Sequence, residues 1–312
     1  MSYAYHTPVL SQELIDALLS HSPKLVVDAT LGGGGHALAL LKRAPADTKL
    51  IGIDRDEEAV AEASKTLAVF GAQVKALCGN FRDIQYLLAG LGIRSVDAIY
   101  ADLGVSSHQI DESRRGFSYL SDGPLDMRMD QRMKTTAADL LRNLSVEELG
   151  RIFHEYGEER HARKIARRIE RERQLRPIVR TMDLAEIIKA VTPKTASIKS
   201  LSRIFQALRI AVNDELGGLA EFLKASFNLL RPGGTVAMIS YHSLEDRQVK
   251  NFFRMKEKGC VCPPELPVCA CGRQSELLIL TRKAVRPNDD ELQRNPRARS
   301  ARLRIARKRE SD

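Results

Sequence analysis

Apolar positions in the first hundred residues fall in short runs, separated by segments of helical period. Lys24–Thr30 (KLVVDAT), Lys49–Asp54 (KLIGID), Gln73–Cys78 (QVKALC) and Val96–Leu103 (VDAIYADL) read as strands. The first, second and fourth show little polar alternation, as parallel strands covered on both faces do. Between the second and third, Glu57–Phe70 places Val60, Ala63, Leu67 and Phe70 at helical spacing. Asp56 fits its N-cap, and two glutamates follow at the positive end of the helix dipole. Alternating β and α predicts an α/β, doubly wound sheet with right-handed crossovers.

The alternation then stops. Residues 104–134 are rich in Gly, Ser, Asp, Arg and Met without a period, which predicts a long functional loop. Helices follow. Ser145 and Glu148 form a capping box ahead of an apolar face of Leu149, Ile152, Phe153 and Tyr156. Ala162, Ile165, Ala166 and Ile169 line the next helix. Thr181 is placed as the cap of a third, with Leu184, Ile187, Ile188 and Val191, stopped by Pro193. A last helical stretch runs from about Ser202 to Leu230, with a break expected near Gly217–Gly218. Arg231–Gly234 then turns into a buried strand, Thr235–Tyr241, and Leu277–Lys283 and Ala301–Ala306 read as the final two. The economical division is a discontinuous domain, 1–110 and 212–312, interrupted by a loop and helical insertion, 111–211.

Composition narrows the class. The chain has 312 residues, is 43% hydrophobic and carries 49 Lys plus Arg against 40 Asp plus Glu, a net charge of +9. That is ample chain for a buried core. No apolar run approaches the roughly 18–20 residues that span a bilayer. The segment MSYAYHTPVL has neither a basic nor a long apolar signal region. A cytoplasmic protein with no membrane partner is expected, and the basic excess hints at a polyanion.

The candidate chemistry starts after the first strand. Asp28-Ala29-Thr30-Leu31-Gly32-Gly33-Gly34-Gly35-His36 is a glycine loop leading into an apolar helix, and glycines let a ligand approach the main chain. Asp54 ends the second strand, eighteen residues beyond His36, where a carboxylate can accept from ribose hydroxyls. These features alone suit a nicotinamide cofactor or S-adenosylmethionine. The acidic start of the loop and the L-R-P-G-G turn at Leu230–Gly234 favour the latter. Asp102 closes the fourth strand, where open α/β sheets bind ligands.

The motifs together resemble the RsmH (MraW) family of bacterial methyltransferases along nearly the whole chain. They include H-T-P-V-L at His6–Leu10, D-A-T-L-G-G-G-G-H, I-D-R-D at Ile53–Asp56, D-L-G-V-S-S-H-Q at Asp102–Gln109 and R-G-F-S at Arg115–Ser118. More specific are D-G-P-L-D-M-R-M-D at Asp122–Asp130, F-Q-A-L-R-I-A-V-N-D-E-L at Phe205–Leu216, Y-H-S-L-E-D-R at Tyr241–Arg247 and N-P-R-A-R-S-A at Asn295–Ala301. Tyr241 stands where the family more often has Phe, and His108 is a second small departure.

The resemblance implies a class I, Rossmann-like methyltransferase fold with an inserted helical, substrate-recognising domain. It implies S-adenosylmethionine as cofactor and direct methylation of the exocyclic N4 of a cytosine in the decoding region of 16S rRNA, within the small ribosomal subunit. Cofactor contacts carry over to Gly34, Gly35, His36, Asp54, Phe81, Asp102 and Gln109. The usual Asp/Asn/Ser-Pro-Pro-aromatic segment of amino-methyltransferases is replaced here by D-L-G-V-S-S. Asp102 is therefore the candidate catalytic group, with Ser106, Ser107 and His242 as candidates near the base; a structural role for His242 is equally open. Met127 and Met129 are read as shaping the active-site wall. Methylation of another nucleic acid amine, and a non-catalytic ribosome-assembly role, are the alternatives. Whether the chain forms a homodimer is left open.

Two further features bear on partners. Arg151–Arg180 holds ten Lys/Arg against five Glu, and Asn295–Arg309 holds seven against no acid. Such segments neutralise phosphates, although salt bridges along a solvated helix explain the first nearly as well. Cys260-x-Cys262 and Cys269-x-Cys271 have the spacing of a four-thiolate zinc site. The reading preferred from sequence is a reduced loop without metal, since methyl transfer needs none.

Overall fold

The structure is a computed structural model and describes residues 8–260, 262–263, 265–268 and 270–310. His6 and Thr7 of the first motif, and Cys269, lie outside the described residues. The chain divides into two compact units, 1–104 with 217–312, and 105–216.

The first unit is built on seven strands: β1 (Leu25–Asp28), β2 (Lys49–Asp54), β3 (Val74–Cys78), β4 (Val96–Asp102), β5 (Leu230–Ser240), β6 (Leu277–Ile279) and β7 (Arg302–Lys308). They lie in the order β3-β2-β1-β4-β5-β7-β6. The first five run parallel, and β7 is antiparallel to both of its neighbours. The strand order reverses between β1 and β4, which opens a crevice at their carboxyl ends.

Period-two alternation explains why these strands read as uninterrupted apolar runs. Val27, Ile51, Ile53, Ile99, Val236 and Met238 point into one core with Phe81, Phe222 and Phe253. Val26, Leu50, Ala98, Tyr100, Ala237 and Ile239 point into the other with Leu14, Leu40 and Leu303. The central strands are therefore covered on both faces, while the edge strand β3 is only partly buried.

Local differences from the sequence reading have identifiable causes. The helix after β2 is Glu57–Thr66, capped by the Asp56 side chain on the Glu58 N–H. A 3-10 turn, Ala68–Gln73, follows, with Gly71 at φ +51°. Ala59 and Ala63 form the buried face, whereas Val60 is half-buried.

The second unit has its own core of Met127, Leu149, Phe153, Ile165, Ile169, Leu184, Ile188, Ile204 and Leu208. Helix Val146–Glu155 starts with the expected Ser145–Glu148 capping box. Thr181, expected as a cap, is instead the first residue of helix Thr181–Val191. Its hydroxyl accepts from the Gly123 N–H (3.0 Å) and donates to the Ser121 carbonyl (2.8 Å), so it ties down the preceding loop. Helix Ser197–Asn213 ends at Asp214, which takes the left-handed conformation, and Glu215–Leu229 follows. The break thus precedes the Gly217–Gly218 pair, since Asp tolerates the left-handed region better than most residues.

Among the described residues, no helix is long and apolar enough to cross a membrane.

Candidate active site

The carboxyl ends of β1, β2 and β4 converge through the backbone of the glycine loop. Gly32 and Gly34 adopt φ of +52° and +83°. Gly34 precedes helix Gly35–Leu41, and a Cβ there would press on Leu67 at 3.3 Å. A Cβ on Gly32 would meet nothing nearer than the Thr30 carbonyl at 4.0 Å, so space is open beside that residue.

Two aspartates fix the loop. The Asp54 carboxylate accepts from Gly32 N–H (2.8 Å) on one oxygen and from Asp56 N–H (2.9 Å) on the other. Burial raises its pKa above the usual carboxylate range despite these bonds. Asp28, almost fully buried, accepts from Thr30 N–H (3.1 Å) and from the Tyr100 hydroxyl (2.7 Å). Desolvation pushes Asp28 up to about 7, and the same burial, with Asp28 beside it, holds the Tyr100 phenol well above 10. Thr30 completes the frame, because its Oγ1 accepts from the Asp102 N–H at 2.6 Å. Thr30, Tyr100 and Asp56 were not singled out as site residues, although the D-x-T spacing was visible.

The Asp102 carboxylate lies 3.7 Å from His36 Nδ1. His36 is buried, and its Nε2 is 2.9 Å from the Val9 carbonyl, which requires the proton on Nε2 in the neutral ring. This leaves Nδ1 facing the carboxylate. Tyr241 follows β5, and its buried hydroxyl faces the Asp102 carboxylate. Burial and the nearby Asp102 carboxylate raise its pKa well above 10. Phe81 packs edge-to-face on Phe222 (5.0 Å between centroids), and the Arg55 guanidinium stands 5.8 Å from its ring.

These observations bring Gly34, Gly35, His36, Asp54 and Asp102 together around one crevice, with Phe81 in the adjoining core. His242 does something local: it is the N-cap of helix Ser243–Lys258, accepting at Nδ1 from the Glu245 N–H (3.4 Å). Glu245 in return accepts from the Tyr241 N–H (3.0 Å).

Ser106, Ser107 and Gln109 belong to the second unit. Ser106 and Gln109 form a reciprocal capping box at helix Ser107–Asp111, each side chain accepting the other's backbone N–H at 3.1 Å. Met127 lies in the core of that unit, and Met129 is buried. Asn213 holds their backbone, accepting from Met129 N–H and donating to the Met127 carbonyl, both at 2.8 Å. Arg115, also buried, donates to the carbonyls of Arg128 (3.2 Å) and Met129 (2.9 Å).

A family model described as the MraW methylase family matches residues 3–309. The chain belongs to this family. It is 51% identical over 306 residues to the ribosomal RNA small subunit methyltransferase H of Syntrophotalea carbinolica, covering 97% of this chain and 98% of that one. The protein of the same name from Geobacter sulfurreducens is 50% identical over 306 residues, with coverage of 97% and 98%. That of Carboxydothermus hydrogenoformans is 48% identical over 305 residues, with 97% of each chain covered.

For a MraW methylase, the sheet order and single reversed strand give the class I, Rossmann-like fold that the motifs imply. The crevice suits the expected cofactor on three counts. The space beside Gly32 is open, the half-buried Asp54 carboxylate keeps lone pairs beyond its two backbone bonds, and the Asp102 carboxylate stands at the end of β4 beside His36.

The basic segments of this MraW methylase divide into two kinds. Near the C-terminus much of the charge is internal. Arg302 (3.0 Å) and Arg304 (2.6 Å) bind Asp246, and Lys308 donates to the carbonyls of Phe227 (3.1 Å) and Leu230 (2.8 Å). In the second unit, Arg173 is structural, bonding the carbonyls of Leu141 and Leu144. By contrast Arg160, Arg163, Lys164, Arg167 and Arg171 are exposed, line a groove of about 1050 Å³, and have no carboxylate partner among the described residues.

Proposed function

We propose that the chain methylates the exocyclic N4 of a cytosine in the decoding region of 16S rRNA, with S-adenosylmethionine as donor. The observation that carries this reading is the placement of Asp102 at the tip of β4, fixed through its N–H by Thr30 of the glycine loop. Fixing Asp102 and the cofactor loop to each other serves an in-line transfer, because alignment lowers its barrier.

When bound, S-adenosylmethionine supplies a methyl group on a sulfonium, and the electrons of the breaking C–S bond remain on sulfur. Asp54 accepts from the ribose hydroxyls while its two backbone bonds keep the loop in shape. Gly32 and Gly34 allow the main chain close approach, and Phe81 closes one wall. The cytosine amine is a weak nucleophile, since its lone pair is delocalised into the ring. Asp102 accepts one of its N–H groups, favours the pyramidal nitrogen that attacks, and is placed to take the proton that the new N–C bond releases. The base must be unpaired or flipped from its stack to reach such a crevice.

The arginine groove of the second unit supplies a phosphate-binding surface, and the low aromatic content, 5% with no Trp, favours recognition of backbone over stacking. The names of the relatives support the small ribosomal subunit as the partner, and a cytoplasmic reaction accords with that reading.

The test incubates the purified protein and methyl-labelled S-adenosylmethionine with small subunits from cells lacking the gene. Label recovered as N4-methylcytidine after nuclease digestion supports the reading. Label in another nucleoside, or none, refutes it.

A further inference from the structure

We infer that Cys260, Cys262 and Cys271 form a structural site for a thiophilic cation, zinc, that closes the loop between helix Ser243–Lys258 and β6. The Sγ atoms of the three residues all lie within 4.8 Å of one another. Cys271 Sγ is 3.7 Å from Cys260 Sγ. A disulfide would need about 2.05 Å. The edge of a tetrahedron of sulfurs around zinc, with Zn–S near 2.3 Å, is about 3.8 Å. The Cys260–Cys271 separation is too long for a disulfide and fits that edge, and the other two pairs lie within 4.8 Å.

The backbone builds this arrangement without help from the sulfurs. Gly259 ends the helix at φ +65°, and a Cβ there would sit 2.3 Å from the Gln274 carbonyl. The chain leaving the helix therefore runs against the chain arriving at β6. Glu276 N–H donates to the Lys256 carbonyl (2.9 Å), and Lys256 Nζ bonds the Glu276 carboxylate at 2.9 and 3.0 Å. Cys260 and Cys271 stand just inside this clasp. Gly272, at φ +62°, turns the chain directly after Cys271.

Beyond the clasp, the described residues of the loop bury little apolar surface. Leu266 and Val268, large apolar residues among the described part of the loop, are 47% and 77% exposed. A segment that cannot bury an apolar core is one that a metal stabilises most effectively. The three cysteines are half-buried, which leaves an entry path for the ion. Binding requires thiolates, so the ion displaces the thiol protons and its affinity falls as pH falls. Cys269, the remaining cysteine of the pattern, lies outside the described residues, and the inference rests on the other three. It departs from the metal-free loop favoured by the sequence, and the convergence of the thiols is the reason.

The test is metal analysis of the full-length protein, purified untagged under anaerobic, chelator-free conditions from zinc-supplemented cells. One zinc per chain is expected in the wild type and in Cys78→Ser, and a fall of about tenfold or more in Cys260→Ser and Cys271→Ser. In case those variants fold poorly, Co(II) is added to metal-stripped wild type. A thiolate-to-cobalt charge-transfer band with tetrahedral d–d bands, abolished by equimolar Zn(II), is expected. Clearly sub-stoichiometric zinc in reduced wild type, absence of the charge-transfer band, or a Cys260–Cys271 disulfide found by differential alkylation would each overturn the inference.

Discussion

Tyr100→Phe removes one oxygen from the frame beneath the glycine loop, and its effect should depend on pH. In the wild type the Tyr100 hydroxyl donates to Asp28 at 2.7 Å, and Asp28 titrates at about 7 against an ordinary value of 3.8. Asp28 therefore takes up a proton on folding between these values. Its contribution to stability is complete below 3.8 and is lost as pH rises through about 7. The full shift corresponds to roughly 4 kcal/mol at about 1.4 kcal/mol per unit. Between about pH 5.5 and about pH 8 the wild type should lose roughly 2 kcal/mol from this group. The lost hydrogen bond costs about 0.5–1.5 kcal/mol when Asp28 is neutral and about 1.5–3 kcal/mol when it is ionised. Tyr100→Phe should thus destabilise the protein more at the higher pH, by roughly 1 kcal/mol, and move Asp28 further up. Urea unfolding followed by circular dichroism at both pH values measures the first quantity, and carboxyl-carbon NMR of Asp28 the second. An equal destabilisation at both pH values, or an Asp28 that titrates near 3.8 in the wild type, would refute the reasoning.

Three further perturbations probe other parts of the account. Asp54→Asn keeps the shape but turns an NH2 toward one of the two N–H groups that Asp54 now accepts, so S-adenosylmethionine affinity by calorimetry should fall about 10- to 100-fold, with a lower melting temperature. Joint replacement of Lys164, Arg167 and Arg171 by Glu should leave cofactor binding intact, weaken small-subunit rRNA binding and flatten its salt dependence by about two to three units of slope. Asn213→Ala removes an amide that bonds Met127, Met129 and Arg209, and should cost about 2–4 kcal/mol, read as faster hydrogen exchange within 105–216.

The sheet was legible because strands buried on both faces leave continuous apolar runs and half-buried ones leave alternation: all seven expected segments became strands, with ends shifted by a few residues. Side-chain roles were harder to read. His242 and Gln109 carry the H-x-x-E and S-x-x-Q spacings of capping boxes, yet as polar residues inside motifs they read equally as ligand contacts. The Thr30 hydroxyl and the Tyr100 phenol act across β1 and β4, 72 residues apart in sequence, so no local pattern exposes them. Net charge misdirected in part. Arg302 and Arg304 of β7 pair with Asp246 on helix Ser243–Lys258, 56 and 58 residues away in sequence, a pairing no local pattern shows.

The central claim is that Asp102, held by Thr30, presents a cytosine amine for methylation. Its most direct test is nucleoside mass spectrometry of small-subunit rRNA from cells lacking the gene, complemented with wild type or with Asp102→Asn. The account predicts that N4-methylcytidine disappears without the gene, returns with the wild type, and returns weakly or not at all with the variant. N4-methylcytidine unchanged by deletion, or restored in full by Asp102→Asn, would contradict it.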